Sequence, residues 1–267
     1  MAGILNIQLK SLMSDKQTNL KKVEHYIKFN KEKPLDLVVL PEFFSTNIEY
    51  LKEPEDENGG ETIKFIQNLA KEYNTNIIAG SVVRKVENKL YNTSYAINRM
   101  GEIIAKYDKI HLYNYLGGSE GKDISAGENI VIAHFDFAKV GLAICFDVRY
   151  PLHFNKLLKE GVQVITLPSA WLVPKMIYEN EHDKKYAQET WLAMLRTRAY
   201  DNMVYLIASN QTKDVDGELF GIGYSSIISP TSQIMACAQD KECAIYSKID
   251  IETVKYLRTI YPIDKID

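Results

Sequence analysis

The chain has 267 residues, a formal net charge of -3, 46% hydrophobic residues and 25% charged residues. This composition is typical of a globular protein with a large core, and it argues against intrinsic disorder. Because the lysines are scattered among acidic residues rather than clustered, we expect no nucleic-acid partner. No apolar run approaches the ~18 residues that a membrane span requires, so we expect no membrane partner either.

The N-terminus and the cysteines indicate the compartment. Residues 1–16 do not combine a basic segment with a long apolar stretch, so they predict a first strand rather than a signal peptide. The 3 cysteines are irregularly spaced, which argues against a disulfide framework and favours a reducing compartment. We therefore expect a cytoplasmic protein. Two triplets of the glycosylation type begin at Asn92 and Asn210, and we attribute both to chance.

Strand and helix patterns alternate at the start of the chain. Residues 4–9 alternate in polarity as in a strand. An amphipathic helix is predicted over residues 16–30, with Ser14 and Gln17 in the positions of a capping box. Residues 35–40 form a short apolar run, typical of a strand buried on both faces.

The rest of the chain contains more strands than helices. Further strands are predicted at residues 76–83, 90–98, 103–107, 130–135, 140–144, 162–167, 204–208, 219–228, 233–237 and 244–249. Further helices are predicted at residues 61–73, 151–160 and 184–202. Several strands follow one another directly, which favours antiparallel pairs within a mixed sheet. Without a linker or repeat, residues 1–267 are expected to form one layered α/β domain.

Three predicted apolar strands lead to a reactive polar residue, namely Glu42, Lys109 and Cys145. In α/β sheets the ligand crevice lies at such strand ends. The turn after Cys145 leads into a helix that begins at Pro151, and a thiol close to a helix N-terminus is expected to favour the thiolate form. Taken singly, each residue also has an ordinary explanation as a buried thiol, a solvated carboxylate or a surface charge.

The segments around these residues are 36–43 (DLVVLPEF), 107–112 (YDKIHL) and 141–151 (GLAICFDVRYP). In this order they resemble the signature blocks of the nitrilase superfamily of carbon-nitrogen hydrolases. Later segments also resemble blocks of this family, at residues 167–171 (LPSAW), 191–202 (WLAMLRTRAYDN) and 223–230 (GYSSIISP). The resemblance covers nearly the whole chain. It implies an α/β fold, a four-layer α-β-β-α sandwich with two mixed sheets.

The resemblance also implies a Glu-Lys-Cys catalytic site, here Glu42, Lys109 and Cys145. Glu42 is expected to act as general base for the thiol of Cys145, which attacks a small amide and forms a thioester. The ammonium of Lys109 and the backbone N–H of Phe146 are expected to stabilise the oxyanion. Water then releases a carboxylic acid, and the leaving group is ammonia. The expected partner is a small-molecule amide, and no cofactor is implied.

A second glutamate is expected between the lysine and cysteine blocks, where it orients the substrate and the lysine. Glu120 is the candidate, and its ordinary alternative is a solvated loop acid. Glu128 is a weaker candidate because it lies in a turn before a strand.

The residues after the nucleophile favour amides over nitriles. Phe146 and Asp147 resemble the amidase-like branches, and residues 147–151 are similar to omega-amidases, which deamidate monoamides of dicarboxylic acids. Arg149 is expected either to bind a distal carboxylate or to belong to a structural ion pair. The alternatives are an N-carbamoyl-amine amidohydrolase, a nitrilase, or a non-catalytic binding scaffold with the same fold.

Further substrate contacts are expected from Tyr113, Ser169 and Trp171. Residues 172–189 are longer than the loop that the resemblance leads us to expect before the long helix. The resemblance also implies a homodimer or a higher homo-oligomer.

The remaining histidines and cysteines suggest no metal centre. His111 is close to Lys109 along the chain, and we expect it to support the fold rather than to take part in the chemistry. Cys237 and Cys243 flank a predicted hairpin with no histidine nearby in the sequence, so we expect no zinc site there.

Overall fold

The computed structural model describes residues 1–115 and 118–265. The helices are α1 (Lys16–Phe29), α2 (Gly60–Glu72), α3 (Glu120–Asp123), α4 (Pro151–Lys159), α5 (Lys175–Glu179), α6 (Glu181–Asn202) and α7 (Ile251–Ile260). The strands are β1 (Ala2–Gln8), β2 (Leu37–Val39), β3 (Asn76–Ile78), β4 (Val82–Val86), β5 (Lys89–Ile97), β6 (Ile103–Asp108), β7 (Val131–His134), β8 (Lys139–Leu142), β9 (Val164–Pro168), β10 (Leu172–Pro174), β11 (Tyr205–Ser209), β12 (Thr212–Asp214), β13 (Leu219–Ile222), β14 (Ser226–Ile228), β15 (Ile234–Cys237) and β16 (Cys243–Ile249).

Two large sheets form the centre of the molecule. The first has 7 strands in the order β16-β1-β2-β3-β5-β4, with β6 paired to β5. The second has 6 strands in the order β15-β14-β11-β9-β8-β7. In each sheet the central pairs are parallel and the outer pairs are antiparallel. The prediction of two mixed sheets is therefore confirmed, while a small sheet of β10, β13 and β12 was not predicted.

The alternation of side chains along the strands builds the layers. On β1, Ile4 faces the second sheet, whereas Leu5 and Ile7 face the opposite way and pack in the cluster that covers the first sheet. Helices α1 and α2 contribute apolar residues to that outer cluster, namely Leu20, Val23, Ile27, Ile63, Ile66 and Leu69. Helices α4 and α6 cover the second sheet in the same way, with Phe154, Leu157, Trp191, Leu195 and Ala199. The order helix, sheet, sheet, helix confirms the predicted four-layer sandwich.

The first helix begins differently from the prediction. Its N-cap is Asp15, whose carboxylate accepts a hydrogen bond from the backbone N–H of Thr18 at 3.0 Å. Ser14 instead has a left-handed backbone with φ of 54°. The predicted capping box of Ser14 and Gln17 is therefore wrong, because either a serine or an aspartate can cap a helix and the sequence offered both in succession.

Two predicted strands are each divided by a glycine. Residues 76–83 form β3 and β4, separated at Gly80, where φ is 40°. Residues 219–228 form β13 and β14, separated at Gly223, where φ is 73°. An extended strand cannot continue through a residue with a positive φ. Each predicted strand is therefore interrupted at its glycine, and the chain turns there before the next strand begins.

The segment 172–189 is not a long loop. It contains β10, the short helix α5 and the beginning of α6, which starts at Glu181 rather than at residue 184. The N-cap of α6 is Asn180, whose side chain accepts from the backbone N–H groups of His182 and Asp183. Only from Gln188 onward does this helix bury side chains, so its first turns gave no amphipathic signal. Helix α7, capped by Asp250, was not predicted at all.

No helix within residues 1–115 and 118–265 is both long and apolar enough to cross a membrane.

Candidate active site

The three strand-end residues of the sequence analysis meet between the two sheets. Glu42 follows β2 and Lys109 follows β6 in the first sheet, while Cys145 follows β8 in the second. Their exposed fractions are 2%, 2% and 7%, so all three are buried. Glu120, at the start of α3, is also buried and joins them. The structure therefore brings together all four residues that were predicted to be catalytic.

Lys109 lies between two carboxylates. Its ammonium donates to Oε1 of Glu42 at 2.9 Å and to Oε2 of Glu120 at 2.9 Å. Burial by itself would lower the pKa of Lys109, but the charges of Glu42 and Glu120 outweigh burial and hold this pKa well above its ordinary value. The lysine is thus a fixed positive charge, and Glu120 is an ion-pair partner rather than a solvated loop acid.

Asn92, on β5, connects the same two glutamates. Its side-chain amide donates to Oε1 of Glu42 at 2.8 Å and to Oε1 of Glu120 at 2.9 Å. Sequence reasoning missed this residue and noted it only as the start of a glycosylation triplet. Both Asn92 and Asn210 are fully buried in the fold, so neither is accessible to a glycan. No local signal marks Asn92, because Thr93 and Ser94 beside it on β5 are buried polar residues as well.

Backbone groups complete the hydrogen bonding of the glutamates. The N–H of Ala170 donates to Oε2 of Glu42 at 2.8 Å, and the N–H of Tyr113 donates to Oε2 of Glu120 at 2.8 Å. The Glu42 carboxylate therefore accepts three hydrogen bonds, from an ammonium, an amide and a backbone N–H. Such saturation holds both carboxylates in one orientation.

Cys145 occupies a sharp turn. It is the first residue of a 3₁₀ turn, Cys145–Arg149, and it has a left-handed backbone with φ of 45°. A non-glycine residue in this region is strained, and such strain is concentrated at functional turns. Glu42 and the backbone N–H of Ala170, which donates to Glu42, both lie close enough to the sulfur to act on its pKa.

The prediction that this turn favours a thiolate is wrong. Burial first, and then the negative charge of Glu42, raise the pKa of Cys145 well above its ordinary value, and Lys109 compensates only in part. The α-helix that was expected to lower the pKa begins at Pro151, after an intervening 3₁₀ turn, so its N-terminus is not at the sulfur. At neutral pH the resting residue is therefore a neutral thiol.

Asp147 holds the turn that carries Cys145 in place through hydrogen bonds. It is fully buried, and its Oδ2 accepts from the backbone N–H of Ile144 at 2.8 Å and from the hydroxyl of Tyr107 at 2.7 Å. Its Oδ1 accepts from the backbone N–H of His111 at 3.1 Å and lies 2.7 Å from Nδ1 of the same residue. Burial would raise the pKa of Asp147, but the hydrogen bond from His111 and the other donors lower it overall. Asp147 is therefore a structural anchor, and His111 supports the fold as predicted.

The predicted oxyanion and aromatic residues lie beside the thiol. The rings of Tyr113 and Phe146 are 5.3 Å apart and meet edge to face. Burial and then the charge of Cys145 raise the pKa of Tyr113, while Arg149 opposes them, so the Tyr113 phenol is within electrostatic reach of both residues. Among the described residues, none accepts a hydrogen bond from the backbone N–H of Phe146.

Arg149 is exposed, and its guanidinium lies 5.9 Å from the centre of the Phe146 ring. Within the ranges 1–115 and 118–265 it forms no ion pair. The alternative of a structural ion pair, which the sequence left open, therefore has no partner among the described residues.

Ser169 and Trp171 follow β9 near the active-site cluster. Ser169 is fully buried, and its hydroxyl donates to the carbonyl of Leu167 at 3.1 Å. Its contact with substrate stays a prediction. Trp171 is half-buried and packs against Trp191, with ring centres 4.9 Å apart, and it also borders the core cluster that contains Cys145.

Two helix-covered sheets with a buried thiol, carboxylate and ammonium between them define a hydrolase that uses a cysteine nucleophile. Residues 6–259 match the carbon-nitrogen hydrolase family, and the chain belongs to this family. It is accordingly a hydrolase of carbon-nitrogen bonds other than peptide bonds. The resemblance to the nitrilase superfamily is thus confirmed.

Several relatives of known name match almost the full length of the chain. Omega-amidase NIT2 of Homo sapiens is 26% identical over 268 residues, covering 98% of this chain and 92% of the relative. The 2-oxoglutaramate amidase of Bacillus subtilis is 29% identical over 247 residues, covering 92% and 89%. Among solved structures, Saccharomyces cerevisiae Nit3, a member of branch 10 of the nitrilase superfamily, superposes with a TM-score of 0.84 at 26% identity, covering 98% of this chain and 94% of Nit3.

Proposed function

We propose that this protein hydrolyses a small linear amide to a carboxylic acid and ammonia through a thioester on Cys145. The observation that carries the proposal is the buried cluster in which Glu42 and Glu120 flank the ammonium of Lys109 beside the thiol. A buried ion pair of this kind is a costly arrangement for stability alone. Because this ion pair lies beside the nucleophile, we attribute it to catalysis.

The first half of the reaction forms the thioester. Because the thiol of Cys145 is neutral at rest, Glu42 takes its proton as the sulfur attacks the amide carbonyl. The carbonyl oxygen becomes an oxyanion, which the ammonium of Lys109 and the backbone N–H of Phe146 stabilise. Each such donor contributes about 3 to 4 kcal/mol in comparable enzymes. Glu42 then gives the proton to the leaving nitrogen, the carbon-nitrogen bond breaks, and ammonia departs.

The second half of the reaction consumes water. Glu42, again a carboxylate, takes a proton from a water molecule whose oxygen attacks the thioester carbonyl. The carbon-sulfur bond breaks, the sulfur regains its proton from Glu42, and the carboxylic acid leaves. In this scheme Glu120 orients Lys109 and the substrate, and Asn92 holds both glutamates in place.

The substrate class we propose is a monoamide of a dicarboxylic acid. Two of the relatives are named omega-amidase and 2-oxoglutaramate amidase. Arg149 provides an exposed cation beside Phe146, and the Tyr113 phenol lies within electrostatic reach of both Arg149 and Cys145. A guanidinium at this place suits the distal carboxylate of such a substrate. Tyr113 and Trp171 are the proposed aromatic walls.

The chemistry is tested by ammonia release from a panel of monoamides, N-carbamoyl amines and short nitriles. Cys145→Ala should abolish release, while Cys237→Ala, a matched change of another free cysteine, should leave it intact. An acyl adduct on the wild-type protein, seen by intact mass, should be absent from Cys145→Ala. Full activity of Cys145→Ala on the best substrate would refute the mechanism, and a panel without any turnover would favour the non-catalytic scaffold.

The substrate class is tested separately with Arg149→Gln. For a dicarboxylic monoamide we expect KM to rise about tenfold, which corresponds to about 1.4 kcal/mol. For an uncharged amide of the same length KM should not change, and Arg196→Gln, an exposed arginine on α6, should be neutral for both. Equal effects on the charged and uncharged amides would remove the omega-amidase assignment and leave amide hydrolysis in place.

We also propose a single catalytic domain that forms a cytoplasmic homodimer or higher homo-oligomer. Strand β1 pairs with β16, so the two ends of the chain build one sheet. The 3 free cysteines suit a reducing compartment. Exposed apolar side chains on the neighbouring helices α4 and α6, Leu152 and Tyr200, support association. Sedimentation equilibrium measures the oligomeric state directly.

A further inference from the structure

Behind the turn that carries Cys145, the fold assembles three residues with metal-binding side chains. His111 follows β6, Asp147 lies in the 3₁₀ turn, and His153 lies on α4. One ligand atom from each, a nitrogen of either histidine and an oxygen of Asp147, all lie within 4.8 Å of one another. These three residues do not have the spacing of a known metal-binding motif, so a metal site was not predicted from the sequence.

His153 has one ring nitrogen in contact with a backbone carbonyl and the other without a hydrogen-bond partner among the described residues. Its exposed fraction is 3%, and its Nε2 lies 3.3 Å from the carbonyl oxygen of Leu142. That contact places the ring proton on Nε2 and leaves a lone pair on Nδ1. Nδ1 is buried, and no described residue hydrogen-bonds to it. Metal-bound histidines characteristically donate their other N–H to a backbone carbonyl in this way.

Asp147 and His111 supply the other two ligand atoms. Oδ2 of Asp147 is occupied by the N–H of Ile144 and the hydroxyl of Tyr107, so this carboxylate is held rigidly. Oδ1 faces Nδ1 of His111 at 2.7 Å. Two ligands on one tetrahedral zinc ion are roughly 3.4 Å apart, given bonds of about 2.1 Å. The His111 to Asp147 contact therefore has to open slightly, and the imidazole proton moves to Nε2 of His111.

A path for an ion is also present. A cavity of about 410 Å³ is lined by His111 and His153 together with Tyr150, Glu128 and other residues. Cys145 does not line this cavity, so it is separate from the candidate active site. It allows an ion to enter, and it leaves room for a water molecule or a small anion in a fourth coordination position.

We propose that His111, Asp147 and His153 bind a divalent cation of the zinc class, with the fourth coordination position open to this cavity. Two imidazoles and one carboxylate suit zinc and its neighbours among the transition metals better than magnesium or calcium. The bound ion would tie α4 and the segment after β6 to the turn that holds Cys145. It does not take part in the proposed hydrolysis, and the proposal does not depend on it.

The test uses the Cys145→Ala protein after EDTA treatment, so that the active-site thiol cannot bind metal. Cobalt(II) is added as a spectroscopic substitute for zinc, and zinc is then used to displace it. We expect visible bands typical of four-coordinate cobalt at one ion per chain, and a rise in Tm on adding zinc. In the same background His153→Leu and His153→Asn should weaken zinc binding at least tenfold and remove the rise in Tm. The matched control His182→Gln, a histidine with 91% side-chain exposure, should behave as the parent.

Three results would overturn the proposal. One is the absence of stoichiometric binding by the parent protein. Another is an unchanged affinity for zinc in both His153 variants. The asparagine variant is included because it retains a polar side chain and can be measured if the leucine variant does not fold. The third is a sulfur-to-cobalt charge-transfer band, which would place the ion on Cys237 or Cys243 instead.

Discussion

Asn92→Asp should destabilise the protein in a pH-dependent manner, because it replaces an amide donor by a carboxyl between two carboxylates. The amide nitrogen lies 2.8 Å and 2.9 Å from oxygens of Glu42 and Glu120. A new carboxylate at about 2.9 Å from each would be repelled by roughly 6 kcal/mol per pair at an effective dielectric constant of about 20. Protonating an aspartate with an ordinary pKa of about 3.9 at pH 7 costs only about 4 kcal/mol. Protonation costs less, so the new carboxyl is neutral in the folded state.

The expected loss of stability follows from that protonation. The protonated carboxyl has one donor for two acceptors, so one hydrogen bond to a charged group, worth about 1.5 to 3 kcal/mol, is also lost. The total at pH 7 is roughly 5 to 7 kcal/mol, comparable with the whole stability of many domains. Because the pKa of the new carboxyl is higher in the folded state than in the unfolded state, the cost of protonation is absent below the unfolded-state pKa. This cost grows by about 1.4 kcal/mol per pH unit as the pH rises towards the folded-state pKa.

Urea unfolding at pH 5 and pH 7 measures this difference directly. The matched control is Asn98→Asp, since the side-chain amide of Asn98 also donates to a glutamate, Glu102, at 2.8 Å, but at the surface. We expect less than about 1 kcal/mol for the control at either pH. The reasoning is refuted if Asn92→Asp and Asn98→Asp lose the same free energy of unfolding at both pH values. It is also refuted if the Asn92→Asp protein releases ammonia as fast as the wild type.

Two further predictions concern the proton acceptor and the backbone beside it. Glu42→Gln should abolish ammonia release and yet lower the pKa of Cys145, because the charge of Glu42 raises that pKa. Iodoacetamide alkylation in EDTA across a pH series measures the midpoint of the Cys145 titration. An unchanged midpoint contradicts the argument. Gly80→Ala should lower the free energy of unfolding in urea more than Gly217→Ala does. Both glycines have positive φ, which costs any other residue about 1 to 2 kcal/mol. Of the two, only at Gly80 does the added Cβ also clash with a backbone oxygen, that of Pro41. Equal losses would show that this close approach is relieved elsewhere.

The layers of the fold were predictable because burial leaves a pattern in the sequence. Helix α1 buries Leu20, Val23 and Ile27 at helical spacing, and that periodicity was visible without a structure. The start of α6 was not, because its first turns bury almost nothing and depend on the Asn180 cap and on contacts with α5. Helix α7 buries only Val254 fully, so it too lacked an apolar stripe.

The candidate site was predictable only where strand ends mark it. Glu42, Lys109 and Cys145 stand after apolar strands, but Asn92 lies inside one, and nothing local distinguishes it from any polar strand residue. Its two hydrogen bonds reach residues 50 and 28 positions away, and such pairings are fixed by the sheet topology. His153 was hidden for the same reason, since its neighbours come from other elements.

The charges of the cluster explain why the resting thiol is neutral and why this does not hinder the proposed reaction. With Glu42, Glu120 and Lys109 ionised, the buried cluster carries one net negative charge. A thiolate on Cys145 would add a second, which a dry site opposes. During the attack, however, Glu42 becomes neutral as it takes the proton, and the negative charge appears on the oxyanion beside Lys109. The net charge is the same before and after, so the site moves charge towards its ammonium without ever accommodating a second anion. General-base catalysis by Glu42 is therefore required by the same burial that raises the pKa of the thiol.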